Sequence, residues 1–287
     1  MATSLKKPAL LAAILATMAL AGLAPARAQQ APSDTGASAD SSGGESDTEL
    51  AKKVQNPIGD LITFPFQSNT NFGVGPHNGA QEILNIQPVI PVHVNEDWNV
   101  ITRTILPLAW NPDMSPLPST DFGSSPTSFS AFLTPSHPSN GWLWGLGPVV
   151  QVPTASSPWL GSSVWGGGPT GVLVYMKGPW VAGALVNNIW SFGGTSGGYG
   201  NSYNTFLAQL FVNYNFSGGW YLTSAPIITA NWEMPGTKWT IPIGGGVGRL
   251  IKIGKQPVNL MVGAYYNVIR PDLGGDWQLR TQVIFVF

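Results

Sequence analysis

Few side chains in this sequence could do chemistry. The 287 residues hold three histidines, no cysteine, thirteen Lys or Arg and fourteen Asp or Glu. His77 stands beside Pro76, His93 closes a run of Val and Ile, and His137 precedes Pro138. A nucleophile and its base must lie within hydrogen-bond reach. No Ser or Asp stands at a telling spacing from any of the three, and they do not cluster as metal ligands do. Gly244-Gly245-Gly246-Val247-Gly248 has the glycines of a phosphate loop but lacks the Lys-Ser/Thr that should follow. No catalytic set, metal or cofactor is expected.

The better candidates are two arginines. Arg280 lies in the last twelve residues, where Trp277, Leu279, Thr281, Val283, Phe285 and Phe287 alternate with Gln278, Arg280 and Gln282. A period of two describes a β-strand with an oily and a polar face. Arg103 sits likewise between Trp98 and Trp110, with Asn99 on its face and Val100, Leu106 and Leu108 on the other. A basic side chain facing lipid at mid-bilayer costs about 2–4 kcal/mol. If these strands cross a membrane, both arginines point into a lumen. There they could form a constriction that attracts anionic or polar solutes. Alternatively, they could fill the lumen as ion pairs with inward carboxylates such as Glu82 or Glu233.

Composition says what must position them. Charged residues make up 9% of the chain, against about 25% in soluble domains. Yet beyond residue 28 no apolar run is long enough for a transmembrane helix. A chain this apolar without such runs fits a membrane β-barrel, whose lipid-facing residues are diluted by every second, lumen-facing one. Trp spacing agrees. Trp98 and Trp110 are 12 apart, Trp180 and Trp190 10, Trp220 and Trp232 12, and Trp277 and Phe287 10. Even separations keep each pair on one face. Ten to twelve residues of a tilted strand rise roughly 25–30 Å, the height of an outer-membrane apolar band. These aromatics, with Trp239, are expected at the two membrane interfaces.

The expected fold is all-β: a transmembrane, antiparallel, up-and-down barrel of about twelve strands, preceded by a short N-terminal helix. Strand one is expected over Gly59–Ser68, followed by a loop over Asn69–Ala80. Later strands are expected near Gln81–Val94, Trp98–Trp110, Ser124–Leu133, Gly141–Val152, Val164–Met176 and Trp180–Phe192. The last five fall near Ser202–Phe216, Trp220–Trp232, Lys238–Ile253, Pro257–Val268 and Asp276–Phe287. Asn85, Gln87 and Arg103 are expected to line the pore early in the chain. Gln209, Asn213, Thr229 and Asn231 follow from the middle, and Asn267, Gln278, Arg280 and Gln282 from the end. Pro88, Pro91, Pro107, Pro226 and Pro242 fall inside strands and should force bulges or breaks, since proline donates no ladder hydrogen bond.

Ahead of the barrel, Met1–Ala28 reads as an export signal: Lys6 and Lys7, an apolar stretch, then Ala26-Arg27-Ala28 before the cleavage point. Its loss leaves ten basic against fourteen acidic residues, so no nucleic-acid partner is expected. Residues 29–56 read as a disordered polar segment carrying a short helix near Asp47–Gln55, capped by Asp47 or Thr48. We read that helix as a linker, the alternative being a periplasmic plug or partner-binding element. Residues 57–287 form the barrel.

Several strings carry a resemblance: LNIQPVIPV (84–92), WNVITRTILP (98–107), GALVNNIWSF (183–192), NYNFSGGWYL (213–222), APIITANWE (225–233), WTIPIGGGVGRLIKIGKQPVNL (239–260) and AYYNVIRPD (264–272). Together they resemble a family of proteobacterial outer-membrane barrel proteins labelled transporter or phenol-degradation MetA-pathway protein, some misnamed neuromedin U. The resemblance implies an outer-membrane barrel taking up small, including aromatic, molecules. Members often end Phe-Pro, whereas this chain ends Val286-Phe287. The functional expectation is a passive channel for small aromatic or anionic solutes. A non-conducting adhesion or structural barrel is the alternative, and an outer-membrane hydrolase the third. Expected partners are outer-membrane lipids, the barrel-assembly machinery through the C-terminal strand, and small solutes.

Overall fold

The computed structural model describes residues 46–112, 122–194 and 202–287. The expected export signal, most of the polar segment after it and most of the loops expected at 111–120 and 193–201 lie outside these residues.

Helix α1 spans Asp47–Val54. Its cap is Ser46, whose Oγ accepts the Glu49 N–H at 3.2 Å, and not Asp47 or Thr48 as expected. Those two residues do other work. Asp47 pairs with Lys252 at 2.8 Å, and the Thr48 hydroxyl donates to the Phe216 carbonyl at 3.2 Å. Asp47 and Glu49 in the first turn and Lys52 and Lys53 in the last complement the helix dipole.

Twelve antiparallel strands follow and close into a barrel. They are β1 (Thr63–Val74), β2 (Gly79–Ile86 and Val89–His93), β3 (Trp98–Trp110) and β4 (Phe122–Ser124 and Thr127–Pro135). Next come β5 (Trp142–Val152), β6 (Val164–Lys177), β7 (Trp180–Gly194) and β8 (Asn204–Asn215). The last are β9 (Trp220–Ser224 and Ile227–Asn231), β10 (Trp239–Ile253), β11 (Gln256–Ile269) and β12 (Trp277–Val286). Each strand pairs with its chain neighbours. β12 closes on β1 from Thr63↔Val286 to Phe72↔Trp277. Helix α1 shares one end with the turns after β2, β4, β6, β8 and β10, the periplasmic end in this architecture.

β1 differs from expectation. It starts four residues later than Gly59 and runs through Asn69 and Asn71 to Val74, where a loop was expected. The turn is only residues 75–78, with Gly75 and Asn78 at positive φ (75° and 49°). The asparagines read as loop residues because of their type. Here they are lumen-facing strand residues, their amides bonded to Arg280, Gln278 and Gln81.

Prolines break three strands. Pro88 splits β2, Pro126 splits β4 and Pro226 splits β9. Near Pro226 the wall is unzipped. β9 pairs with β10 at Thr223↔Gly246 and again at Thr229↔Thr240, with no ladder pair between. Pro242, on the facing stretch, marks a register shift against β11.

The exterior is apolar and exposed, including Leu133, Leu146, Leu173, Leu210, Leu222 and Ile243. Contiguous oily surface of this extent needs lipid against it. Aromatic contacts ring both ends. Trp98–Trp144, Trp142–Tyr175 and Trp180–Tyr214 lie at the periplasmic end, and Trp110–Phe122, Trp232–Trp239 and Tyr266–Trp277 at the other. Trp220 lies under the Arg249 guanidinium at 4.9 Å, while Trp190 and Phe287 are exposed. The fold and this surface are those of a transmembrane barrel of the outer-membrane type.

Alternation of oil outside and polar inside holds on only part of the wall. Ile58, just past α1, inserts into the barrel mouth. It joins inward Val89, Ile101, Phe132, Leu143, Val172, Val174, Val181, Leu185 and Phe211 in one buried apolar cluster. The periplasmic half of the lumen is therefore partly a hydrophobic core, and residues 55–61 are its stopper. The helix expected to be a linker is a docked element. Lys52 donates to the Gly178 carbonyl at 3.2 Å, and Gln55 and Asn215 exchange two side-chain hydrogen bonds.

Candidate functional site: the lumen and its constriction

Two cavities stack along the lumen. The inner one, about 150 Å³, has Gln55, Asn56, Pro57, Gly59 and Leu61 as its floor. The outer one, about 440 Å³, reaches Met234, Lys238 and Pro271 on the outer loops. Five residues line both: Gln67, Gln87, Arg103, Leu185 and Gln209. They form the constriction, contributed by β1, β2, β3, β7 and β8.

Local structure sets each of them. On β1, Gln67 shares its face with Asn69, so a period of two brings both amides inward. Gln87 is the last residue before Pro88. Its N–H continues the β1 register and donates to the Pro65 carbonyl at 2.9 Å. Its side-chain oxygen accepts from Arg103 Nη2 at 2.6 Å. No other hydrogen bond to the Arg103 side chain occurs among the described residues.

Arg280 is arranged differently. Its Nε donates to Asn69 Oδ1 at 3.0 Å, Nη1 to the Ala225 carbonyl at 2.7 Å and Nη2 to Gln278 Oε1 at 2.8 Å. Its guanidinium lies 4.5 Å from the Tyr265 ring centre. Tyr265 in turn accepts the Ala225 N–H at 3.3 Å. Next to it, Asn259 donates to the Tyr221 hydroxyl at 2.9 Å. The Tyr221 ring fits because β10 presents glycine to it: a Cβ on Gly248 would stand 2.1 Å from the ring.

The expected ion pairs do not form. Glu82 lies on the membrane-facing side of β2, in register with Thr70 and Trp110. Its carboxylate accepts hydrogen bonds from the Ser68 and Thr70 hydroxyls, the latter at 2.5 Å. Glu233 is exposed in the β9–β10 loop and accepts from Ser202 at 3.0 Å. The alternation of Leu84 and Ile86 already puts Glu82 on the apolar face, and Glu233 lies beyond the end of β9, where alternation no longer applies.

Of the residues expected to line the pore, Asn85, Gln87, Arg103, Gln209, Thr229 and Asn231 line the outer cavity. Asn213, Arg280 and Gln282 line the inner one. Asn267 and Gln278 line neither: Asn267 donates to the Gly275 carbonyl at 2.7 Å, and Gln278 bridges Asn71 and Arg280. Sequence reading missed Ile58, Leu61 and Leu185. An apolar residue in a periplasmic linker or on a nominal lumen face gives no signal until the plug is seen.

The histidines stay apart. His77 is in the outer β1–β2 turn, and His137 is in a periplasmic turn. His93 stands at the periplasmic rim, 3.0 Å from Asn99 Oδ1 and 3.5 Å from Asp60. Among the described residues no group of three or more His, Asp or Glu is placed to hold a metal.

No protein-family model matches this chain, and no curated protein matches it. Solved structures do. A COG4313 outer membrane channel from Pseudomonas putida F1 superposes with a TM-score of 0.58 at 16% identity, over 79% of this chain and 94% of that one. The chain shares the fold of that outer-membrane β-barrel. Outer membrane phospholipase A from Escherichia coli (TM-score 0.42, 15% identity, 84% and 98% covered) and the CymD monoaromatic hydrocarbon channel (0.41, 10%, 84% and 91%) are more distant likenesses.

Proposed function

We propose that the protein is a passive channel for small aromatic or anionic solutes, gated at its periplasmic end by residues 55–61. We further propose that it belongs to the MetA-pathway group its strand sequences resemble. The observation that carries this reading is the pair of in-line cavities meeting at the five-residue constriction. A barrel serving only as an adhesin or scaffold has no need of a graded internal path. The likeness to a channel barrel supports the same reading. Outer-membrane lipids against the exterior, and the assembly machinery acting on β12, complete the set of partners.

Planar-bilayer recording of the purified, full-length barrel tests this. Discrete conductance steps, rare with the plug in place, are expected. A flat baseline at high protein load would favour the non-conducting reading.

A further inference from the structure

We propose that the constriction is a binding site for a small organic monocarboxylate, with Arg103 as the group that holds the carboxylate. The inference deepens the channel reading and rests on it only for the consequence, which is selectivity.

A guanidinium carries five N–H donors in a rigid fork. Arg280 spends all three of its nitrogens on protein acceptors and lays a face on Tyr265. It is a fastening. Arg103 spends one nitrogen, on Gln87. Protein surrounds it, yet it retains surface toward both cavities. No described carboxylate reaches it. Glu82 faces the membrane side, Asp60 lies by His93 at the rim, and Arg270 takes Asp276. A cation held away from bulk water without a counter-charge is costly. A bidentate carboxylate satisfies such a fork in charge and in geometry.

The surroundings narrow the class. Ile105, Phe132, Val149, Ile189 and Leu207 line the outer cavity, and Leu185 lines the constriction. They offer an apolar bed for the body of a solute whose head reaches Arg103. The cavity of about 440 Å³ accommodates a single ring or a short chain. A dianion would need a second available cation beside Arg103: Arg280 is already committed, and Lys238, out on the loop at the cavity's outer end, donates to the Trp232 carbonyl at 2.7 Å. The expected ligand has one carboxylate and one apolar body.

The test uses the full-length refolded barrel in detergent, with benzoate as probe and benzyl alcohol and phthalate as comparators. Binding is read by calorimetry, folding by heat-modifiable gel migration, and conductance in bilayers. Benzoate is expected to bind at least tenfold more tightly than benzyl alcohol or phthalate. Arg103→Gln should weaken benzoate at least tenfold and leave benzyl alcohol unchanged, while Arg103→Lys should recover part of the loss. Equal binding of benzoate and benzyl alcohol overturns the proposal. So does benzoate affinity unaltered in a folded Arg103→Gln barrel. Lost benzoate selectivity with normal conductance sinks the site alone. Intact benzoate binding with a flat conductance trace sinks the channel reading alone. If Arg103→Gln fails the gel assay, Arg103→Lys decides: its folded form must bind benzoate more weakly than wild type but more tightly than benzyl alcohol.

Discussion

Arg280 Nη1 donates to the carbonyl of Ala225 at 2.7 Å, across 55 residues of sequence and the width of two strands. The bond exists because of Pro226. Proline supplies no ladder donor, and around Ala225 β9 loses its pairs with both β8 and β10. The freed carbonyl and N–H of Ala225 turn inward to Arg280 and Tyr265.

Replacing the arginine should therefore unfasten the kink. Arg280→Met leaves the Ala225 carbonyl, Asn69 and Gln278 without their donor. Hydrogen bonds to a charged group contribute about 1.5–3 kcal/mol each, but groups that relax toward cavity water recover part of this. A net loss of about 2–4 kcal/mol is expected. The folded gel band should disappear at a lower temperature and lower urea than wild type. An unchanged midpoint would show that the kink holds itself.

Much of this molecule was legible in its sequence. The alternation from Trp277 to Phe287 and the even Trp spacings report the strands because lipid forces one parity on them. The interior was less legible. Leu143, Val174 and Leu185 face inward and apolar in the cluster that Ile58 completes, and nothing in a strand's own pattern announces a plug supplied from elsewhere. Polar residues misled for the reciprocal reason. Asn188 falls on the lipid parity of β7, where alternation calls for an apolar residue. It donates to Asn204 at 2.8 Å and accepts the Trp232 indole N–H at 2.9 Å, so its amide is satisfied at the interface.

That chain of bonds makes a prediction. Asn188→Ala leaves the Trp232 indole and Asn204 without partners at the outer aromatic belt. A destabilisation of about 1–2 kcal/mol is expected, limited by water and headgroups that can replace the lost acceptor. The measurement is the urea midpoint in lipid vesicles. Trp232→Phe should abolish most of the effect when combined with it, because the two residues share the interaction.

The inner face of β10 should tolerate no added bulk. A methyl on Gly248 would meet the Tyr221 ring at 2.1 and 2.7 Å and its hydroxyl oxygen at 2.3 Å. Gly248→Ala must push the ring aside and with it the Asn259 bond. Overpacking of this kind costs about 1–3 kcal/mol. Combining it with Tyr221→Leu, which removes the obstructing ring, should restore much of the loss. If Gly248→Ala melts like wild type, the close approach of ring and strand is absent in solution.

Ile58 is the point at which stability and gating meet. It is 2% exposed and sits in an apolar cluster drawn from strands β2 to β8. Around it, α1 holds by polar contacts that water can replace: Lys52 to Gly178, Gln55 to Asn215 and Asp47 to Lys252. Burial of one isoleucine supplies about 1.5–3 kcal/mol, a large share of what keeps residues 55–61 seated. Ile58→Asp removes that contribution and sets a carboxylate among Val, Leu and Phe, which should expel the plug. Barrel melting should change little, because the wall ladders are untouched. Conductance should rise, with long open events replacing rare ones, and a protease should cut the segment before β1 more rapidly. Ile58→Val, which keeps most of the contact, should behave as wild type. A closed Ile58→Asp channel would mean that residues 55–61 do not set the gate.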